Sequence, residues 1–185
     1  IFQRINDWLA IHFGENHGIT LAISEWGPSA NNPNVSAVVY GSALGTFANN
    51  GVELFSPWNW GIGMWETLHL YSRYAKNYSV SSTSSLENSV SAFTTVNESA
   101  DSMTVIIVNR DINTPRNVTI NINGFSAGNG TYSTLEFSAL PETETFKSHT
   151  DNALKKNKVT VISNSFIITV PALSTIAVLL EKATT

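Results

Sequence analysis

Residues 19–27, ITLAISEWG, and residues 52–61, VELFSPWNWG, are the two short stretches that decide the fold. Each begins with a largely apolar run about as long as a β-strand and ends in polar and aromatic residues. Strands that are apolar on both faces are typical of parallel sheets buried between other layers. We therefore predict two buried parallel strands, Ile19–Ser24 and Val52–Trp58.

Three helical patterns alternate with these strands. Apolar residues recur at helical spacing over residues 2–13, over residues 34–48 and from Met64 to Ala75. Three small residues recur at every fourth position of the second helix: Ala37, Gly41 and Gly45. Their spacing predicts that this helix packs closely on a sheet. The order helix, strand, helix, strand, helix is typical of an α/β fold.

Two parallel strands are too few to make a stable sheet. Their outer edges would be bare and one face of the sheet would lack cover, which natural sheets avoid. We therefore interpret the first part of the chain as the end of a larger α/β domain. The missing strands would come from a preceding part of the same protein or from another chain.

The second part of the chain reads as all-β. All five tryptophans precede it, and the stretch SVSSTSS at Ser79–Ser85 reads as the connector. Seven strands are predicted: Ser89–Val96, Met103–Asn109, Asn117–Ile122, Thr131–Phe137, Val159–Ile162, Phe166–Val170 and Thr175–Glu181. Short strands at this spacing predict an antiparallel β-sandwich. The polar stretch Pro141–Lys158 is predicted to be a long loop.

Composition excludes several classes of function. Charged residues make up 13% of the 185-residue chain and the net charge is −4, which argues against a nucleic-acid binder with a basic face. Cysteine is absent, so thiolate catalysis and cysteine-based metal sites are excluded. No apolar run approaches the roughly 18 residues of a membrane span. No histidine spacing or phosphate loop indicates a metal or a cofactor, and we predict none.

Glu25 is the best candidate for a catalytic residue. It follows a buried strand directly, at the carboxyl end where α/β barrels and open α/β sheets place their active sites. Alternation predicts that Leu21, Ile23 and Glu25 share one face, with Glu25 at its exposed end. A carboxylate there can attack an anomeric carbon to form a glycosyl ester. The alternative is a structural carboxylate that caps a loop or pairs with an arginine.

Three tryptophans near the two strand ends suit a carbohydrate groove. Trp26, Trp58 and Trp60 follow the apolar runs, and a rigid aromatic ring can cover the flat apolar face of a sugar. Core packing is the commoner role of tryptophan, and we predict it for Trp8 and Trp65, which lie on helical apolar stripes. Of the pair that follows the second strand, we favour Trp58 as the sugar-binding residue.

The other acidic residues are weaker candidates. Glu53 begins its strand, at the wrong end for catalysis, and Glu15 lies in a loop before the first strand. Glu66 stands in the first turn of a helix, where a carboxylate interacts favourably with the helix dipole. None of the three is a convincing proton donor to act with Glu25.

Several segments resemble a known group of enzymes. ITLAISEWG, LGTFANNGVELFSPWNW and the antiparallel strands after them resemble the C-terminal part of retaining glycoside hydrolases of the (β/α)8-barrel clan A. LGTFANNGV and SVSAFTTVNESADSMTVIIVNRD are similar to glycoside hydrolase family 44 in particular. Family 44 usually has tyrosine after its nucleophile, whereas Trp26 stands here. A Glu-Trp pair looks more like families 39 or 30, and family 51 is a further alternative.

The resemblance implies a fold and an activity. Residues 1–76 would be the last units of a (β/α)8 barrel, and residues 77–185 a β-sandwich packed on it. Glu25 would be the nucleophile at the end of barrel strand seven, and Trp58 the aromatic residue that ends strand eight. The clan's proton-donating glutamate ends strand four, which would lie upstream of Ile1. The implied enzyme is a secreted endo-β-glycanase that hydrolyses β-1,4-glucans, with some activity on xylan and mannan-type chains.

Two other functions stay open. A non-catalytic carbohydrate-binding module would need a surface strip of tryptophan on the sandwich, and the sequence has no tryptophan there. A structural extracellular domain agrees with the many Asn, Ser and Thr residues but leaves Glu25 and the strand-end tryptophans unexplained. We expect the polysaccharide to be the partner of the complete enzyme. The chain alone, without the acid and most of the barrel, is expected to be inactive.

Overall fold

Helices and strands alternate through the first part of the chain, as predicted. The computed structural model describes residues 1–28, 30–58, 61–142 and 154–183. The elements of the first part are α1 (Phe2–Phe13), β1 (Leu21–Trp26), α2 (Pro33–Asn49), β2 (Val52–Pro57) and α3 (Met64–Tyr74). β1 and β2 pair in parallel, which confirms the prediction of parallel strands. The bounds of these five elements lie within two residues of the predicted ones.

The start of α2 has a clear local cause. The side-chain oxygen of Asn32 accepts hydrogen bonds from the backbone N–H groups of Asn34, over 2.9 Å, and Val35, over 3.3 Å. Pro33 occupies the first turn, where its missing N–H costs nothing. The cap therefore fixes where the chain turns from the loop after β1 into the helix that leads to β2.

The described residues of the second part form eight strands: β3 (Tyr78–Val80), β4 (Val90–Val96), β5 (Ser102–Asn109), β6 (Arg116–Asn121), β7 (Gly130–Phe137), β8 (Lys155–Val161), β9 (Ser165–Val170) and β10 (Ser174–Glu181). They form a six-stranded antiparallel sheet in the order β3-β4-β5-β10-β7-β8, and a two-stranded sheet of β6 and β9. The seven predicted strands are all present, and two predictions about the segments between them are wrong at one end, where each segment overlaps a strand.

The two errors concern polar edge strands. The predicted connector Ser79–Ser85 begins inside β3, which pairs with β4. The predicted loop Pro141–Lys158 ends inside β8, because β8 starts at Lys155 and pairs with β7 from there on. Residues 143–153 of that loop lie outside the described residues. Both strands lie at the edges of the six-stranded sheet, where polar and lysine side chains are common.

The six-stranded sheet is covered on both faces. One face packs against β6 and β9 around a core that includes Val105, Ile107 and Val178. The other face packs against α2 and α3 around a second core that includes Val38, Leu70 and Phe137. β5 lies between the two cores and is buried along its whole length.

Helix α2 lies very close to this sheet. A Cβ atom added to Gly45 would stand 2.1 Å from the ring of Phe93, and one added to Gly41 would stand 3.3 Å from the Thr175 hydroxyl oxygen. The prediction that small residues allow close packing on a sheet is therefore confirmed. The sheet is the antiparallel one of the second part, which the sequence pattern does not indicate.

Hydrogen bonds tie the two helices to each other and to the sheet. The Thr67 hydroxyl donates to the carbonyl oxygen of Ala37 over 3.1 Å, and the Tyr71 hydroxyl donates to that of Gly41 over 2.7 Å. From the sheet, the Thr104 hydroxyl donates to the carbonyl oxygen of Tyr74, at the end of α3, over 2.6 Å. The helices and the sheet are thus joined by specific polar contacts as well as by the apolar core.

Helix α1 is the least covered element. None of its residues is buried, and Trp8 is 66% exposed, so the prediction that Trp8 belongs to the core is wrong for the described residues. Trp65, on α3, is half-buried. The apolar stripe of α1 predicts that another element packs on this helix, and the described residues cover the stripe only in part. No helix in the described ranges is both long and apolar enough to cross a membrane.

Candidate functional site

The carboxyl end of β1 contains an irregularity that places Glu25. Ile23 pairs with Phe55 and Trp26 pairs with Pro57, so β1 advances three residues while β2 advances two. Such an extra residue is a β-bulge, which redirects the side chains at its position. Ser24 and Glu25 are consecutive and both exposed, whereas Ile23 and Trp26 on either side are half-buried.

The irregularity bears on the predicted face of Glu25. Leu21, Ile23 and Trp26 line a groove against α1 and α2. Glu25 is exposed, as Ser24 is, and is absent from the lining of this groove. Simple alternation, which predicts one face for Leu21, Ile23 and Glu25, cannot be applied across the register shift between Ile23 and Trp26. The exposure of Ser24 and Glu25 favours the side of β1 that the helices leave open for both side chains.

Trp26 belongs to an aromatic cluster on the helix side. Its ring meets those of Tyr40, Phe47 and Phe55 edge-on, with ring centroids 5.3, 5.9 and 5.9 Å away. Such edge-to-face contacts add about 0.5–1.5 kcal/mol each beyond area burial. The cluster holds the end of β1 on α2. These contacts favour a packing role for Trp26 and give no support to its predicted contact with sugar.

Trp58 is held beside this strand end and is exposed. Its backbone N–H donates to the carbonyl oxygen of Trp26 over 3.0 Å, and its side chain is 69% exposed. Leu54 and Ser56, at alternate positions of β2, are exposed too, while Phe55 faces α2. By the same alternation Trp58 lies on the open face. Glu25, at the carboxyl end of β1, and Trp58, directly after β2, are therefore both exposed at the same end of two paired strands.

The remaining predicted residues are placed as follows. Trp60 lies outside the described residues. Glu66 is 7% exposed, and its carboxylate accepts a hydrogen bond from the backbone N–H of Gly63 over 2.8 Å, as a helix cap does. Glu53 is exposed at the start of β2. Two carboxylates of the described residues lie near the carboxyl ends of β1 and β2: Glu25 in β1 itself, and Glu142, which lines a pocket with residues that follow the two strands. No cluster of three metal-binding side chains occurs among the described residues.

Two features of this site are missing from the sequence-based prediction. The bulge has a weak signal, since two consecutive polar residues, Ser24 and Glu25, interrupt an apolar strand. Tyr40 has no such signal. It is 2% exposed, lies under Trp26, and burial raises the pKa of its hydroxyl. The side chain that supports the end of β1 could thus be identified only from the fold.

Comparison with known proteins gives a fold likeness and no sequence match. No known family profile matches the sequence, and no curated protein does. CelM2, a bifunctional glucanase-xylanase from a metagenome library, has a TM-score of 0.83 at 20% identity. The match covers 99% of this chain and 34% of that one. Cel44A, a family 44 endoglucanase from Clostridium thermocellum, has a TM-score of 0.82 at 20% identity, with 98% and 35% covered.

A family 30 structure is less similar. Xyn30A, a family 30 subfamily 8 xylanase from Clostridium acetobutylicum, has a TM-score of 0.68 at 14% identity. That match covers 90% of this chain and 43% of the xylanase. The resemblance to clan A glycoside hydrolases, and to family 44 more than to family 30, is thus confirmed at the level of the fold. The chain spans about a third of the length of the first two structures.

Proposed function

We propose that this chain supplies the last two strands of a (β/α)8 barrel and the adjoining β-sandwich of a retaining endo-β-glycanase. The observation that carries the proposal is the position of Glu25. It is an exposed carboxylate at the carboxyl end of a parallel strand, and the exposed Trp58 lies at the same end of the paired strand. Active sites of α/β barrels lie at this end of the strands.

Glu25 acts as the nucleophile. Its carboxylate attacks the anomeric carbon and forms a glycosyl ester as the bond from that carbon to the leaving oxygen breaks. A second carboxylic acid, on the polypeptide that supplies the other barrel strands, gives its proton to the leaving oxygen. The same group then takes a proton from water, which attacks the anomeric carbon and releases Glu25. The two carboxyl groups of a retaining enzyme stand about 5–5.5 Å apart.

Trp58 forms a wall of the sugar subsites. An exposed indole on a strand end can lie flat against the apolar face of a pyranose ring and loses little conformational entropy. Trp60 is proposed as a second wall from its place in the sequence. Trp26 acts indirectly, because its aromatic cluster holds the bulge that turns Glu25 toward the open face.

The fold likeness supports the substrate class. Structures with the same fold are described as a glucanase-xylanase and as an endoglucanase, so we propose β-1,4-glucan or xylan as the substrate. Such a polymer does not cross a cell membrane, and we place the enzyme outside the cell. No observation favours a purely structural or sugar-binding role over hydrolysis.

Removal of the Glu25 carboxylate tests the proposal. In the enzyme assembled with the polypeptide that supplies the other barrel strands, Glu25→Gln should lower kcat on soluble β-glucan by about 10⁴-fold or more. Glu53→Gln, at the opposite end of β2, is the matched control and should retain activity. In Glu25→Ala, added azide should restore turnover and give a glycosyl azide of inverted anomeric configuration. The chain alone, without the polypeptide that supplies the other barrel strands, should show no hydrolysis.

Three outcomes would contradict this assignment. Full activity of Glu25→Gln would remove Glu25 from the reaction. A product of inverted configuration from the wild-type enzyme would exclude the covalent intermediate. Sugar binding without hydrolysis, in both the wild type and Glu25→Gln, would favour a binding module.

A further inference from the structure

A cavity lies where the two parts of the chain meet, beyond the carboxyl ends of β1 and β2. It has a volume of about 340 Å³ and is lined by the loop after β1, the first turns of α2 and the residues around the start of α3. Glu142, which follows β7 in the second part of the chain, also lines it. The cavity is thus built from segments that are far apart in the sequence.

Tyr40 offers this cavity a hydroxyl group without a partner. The residue is 2% exposed, and its hydroxyl oxygen makes no hydrogen bond within the described part of the chain. The ring itself is held by its edge-on contact with Trp26. Buried polar groups in folded proteins are nearly always hydrogen-bonded. The free hydroxyl therefore indicates that a ligand supplies the missing partner.

Two further polar side chains line the same cavity. Ser36 is 7% exposed and adds a second hydroxyl group, and Glu142 adds a carboxylate. The segment before Glu142 is held on α2, because the backbone N–H of Leu140 donates to the side-chain oxygen of Asn34 over 3.0 Å. Hydroxyl groups both donate and accept hydrogen bonds, whereas a carboxylate accepts them. Such a set matches a ligand that is rich in hydroxyl groups.

The cavity is poorly suited to ions. No basic side chain lines it among the described residues, and the backbone N–H groups of residues 34–36 already donate to Asn32. An anion would therefore meet neither a cation nor a free N–H group of the helix start. A divalent cation needs several oxygen ligands at short range, and the described ranges contain no cluster of three acidic or histidine side chains.

Apolar walls and a small volume indicate a single sugar ring. Ile62, Met64 and two prolines line the cavity beside the polar groups. A pyranose ring carries C–H faces between its hydroxyl groups, so it matches a lining of this mixed kind. The volume lies at the low end of the range for small-molecule sites, roughly 300–1,000 Å³. It suits one ring better than an extended chain.

We propose that this cavity binds one neutral sugar ring of the polysaccharide that the complete enzyme cleaves. The hydroxyl groups of Tyr40 and Ser36 bind hydroxyl groups of the ring, and Glu142 accepts a hydrogen bond from another. The origin of the ring in that polysaccharide rests on the proposed function. Pro28, in the cavity wall, follows Glu25 by three residues, which span at most about 11 Å. The ring would therefore belong to a sugar unit close to the cleaved bond.

Methyl NMR of the full chain tests the binding. Methyl β-D-glucopyranoside at millimolar concentration should shift the methyl signals of Ile62 and Met64 until the site is saturated, and should leave that of the exposed Ile162 unchanged. Tyr40→Phe keeps the ring and removes the hydroxyl group. It should weaken this binding about fivefold, as the loss of one hydrogen bond does. Tyr78→Phe, at an exposed position, is the matched control and should bind as the wild type does.

Four results would overturn the proposal. The first is the absence of a saturable shift at Ile62 and Met64. The second is the same shift with sodium phosphate or calcium chloride in place of the glucoside, which would assign the cavity to an ion. The third is binding that survives Tyr40→Phe but is lost in Trp58→Ala. The fourth is a lower melting temperature of Tyr40→Phe without sugar, which would mean that the hydroxyl already has a partner in the folded chain.

Kinetics of the assembled enzyme separate this role from an indirect one. Tyr40→Phe should raise KM for soluble β-glucan about as much as it weakens binding of the glucoside, at unchanged kcat, because the bound substrate and the transition state share the lost contact. A fall in kcat at unchanged KM would show that Tyr40 acts through Trp26 on Glu25, and would contradict the sugar site. Binding of the glucoside in the cavity of an enzyme that hydrolyses no β-glycan would overturn only the proposed function.

Discussion

The backbone N–H of Trp58 donates to the carbonyl oxygen of Trp26 over 3.0 Å, yet the two indole rings have opposite surroundings. Trp26 lies among Tyr40, Phe47 and Phe55, whereas Trp58 is 69% exposed. One strand end thus carries a tryptophan that stabilises the sheet, and its neighbour carries a tryptophan that contributes little to stability. Because of this difference, substitution of each tryptophan in turn can separate a packing role from a binding role.

Trp26→Ala should destabilise the chain much more than Trp58→Ala. The first change removes three ring contacts and leaves a gap over Tyr40, which should cost about 2–3 kcal/mol, less than for a fully buried tryptophan. The second change removes an exposed ring and should alter the free energy of unfolding by less than about 0.5 kcal/mol. Urea unfolding of the two variants measures both values. Similar losses would mean that Trp58 is packed in solution.

Gly45→Ala should destabilise the contact between α2 and the six-stranded sheet. The new methyl group would stand 2.1 Å from the Phe93 ring, so the helix or the ring must move, at a cost of about 1–3 kcal/mol. Gly41→Ala, with its nearest contacts at 3.3 Å, should cost less. Thermal unfolding compares the two variants. The double variant Gly45→Ala/Phe93→Ala should lose less than the sum of the two single changes, and strict additivity would contradict the contact.

Tyr71→Phe should change the response of stability to alkaline pH. Burial raises the pKa of the Tyr71 hydroxyl far above its ordinary value of 10.0, so the folded chain keeps its proton when the unfolded chain loses it. This contribution to stability is present below pH about 10 and is lost as the pH rises above that value. The free energy of unfolding should fall less steeply above pH 10 in Tyr71→Phe. Tyr78→Phe, at an exposed position, is the control and should follow the wild type.

Asn109→Ala should destabilise the second part of the chain. The buried Asn109 amide donates to the carbonyl oxygens of Thr114, Val170 and Pro171 over 3.0, 3.0 and 2.9 Å. Without it these carbonyl groups lose a partner, at a cost of about 1–3 kcal/mol. Asn123→Ala, at an exposed position, should be neutral. Guanidinium unfolding compares them, and an equal stability of both variants would show that water replaces the amide.

Local signals made most elements predictable from the sequence. Apolar periodicity and the turn residues around it place α2 and β2 because both depend on neighbouring residues along the chain. The edge strand β3 and the first half of β8 were out of reach for the opposite reason. Lys155, Lys156 and Lys158 have no apolar alternation, and this half of β8 is a strand because β7 offers a partner, with Glu136 3.7 Å from the Lys155 amine.

The candidate site was predictable in part. Glu25 and Trp58 are recognisable as polar and aromatic residues at the ends of apolar runs, and both are exposed in the structure. The direction of Glu25 depends on the bulge, which is a property of two paired strands and has only a weak trace in one of them. The exposure of Trp8 shows the same limit, since an apolar helix face predicts a partner without saying which residues provide it.

The double burial of β5 has an evolutionary consequence. Ile106 and Val108 face the helices, while Val105 and Ile107 face the opposite sheet. A substitution on one face of β5 therefore changes the packing on that face and, through a shift of the backbone, the packing on the other face. Recombination that exchanged the sheets for those of a distant homologue would have to preserve both complementary surfaces at once. The helices α2 and α3 and the two sheets should therefore be inherited together, and directed evolution should exchange them only as one unit.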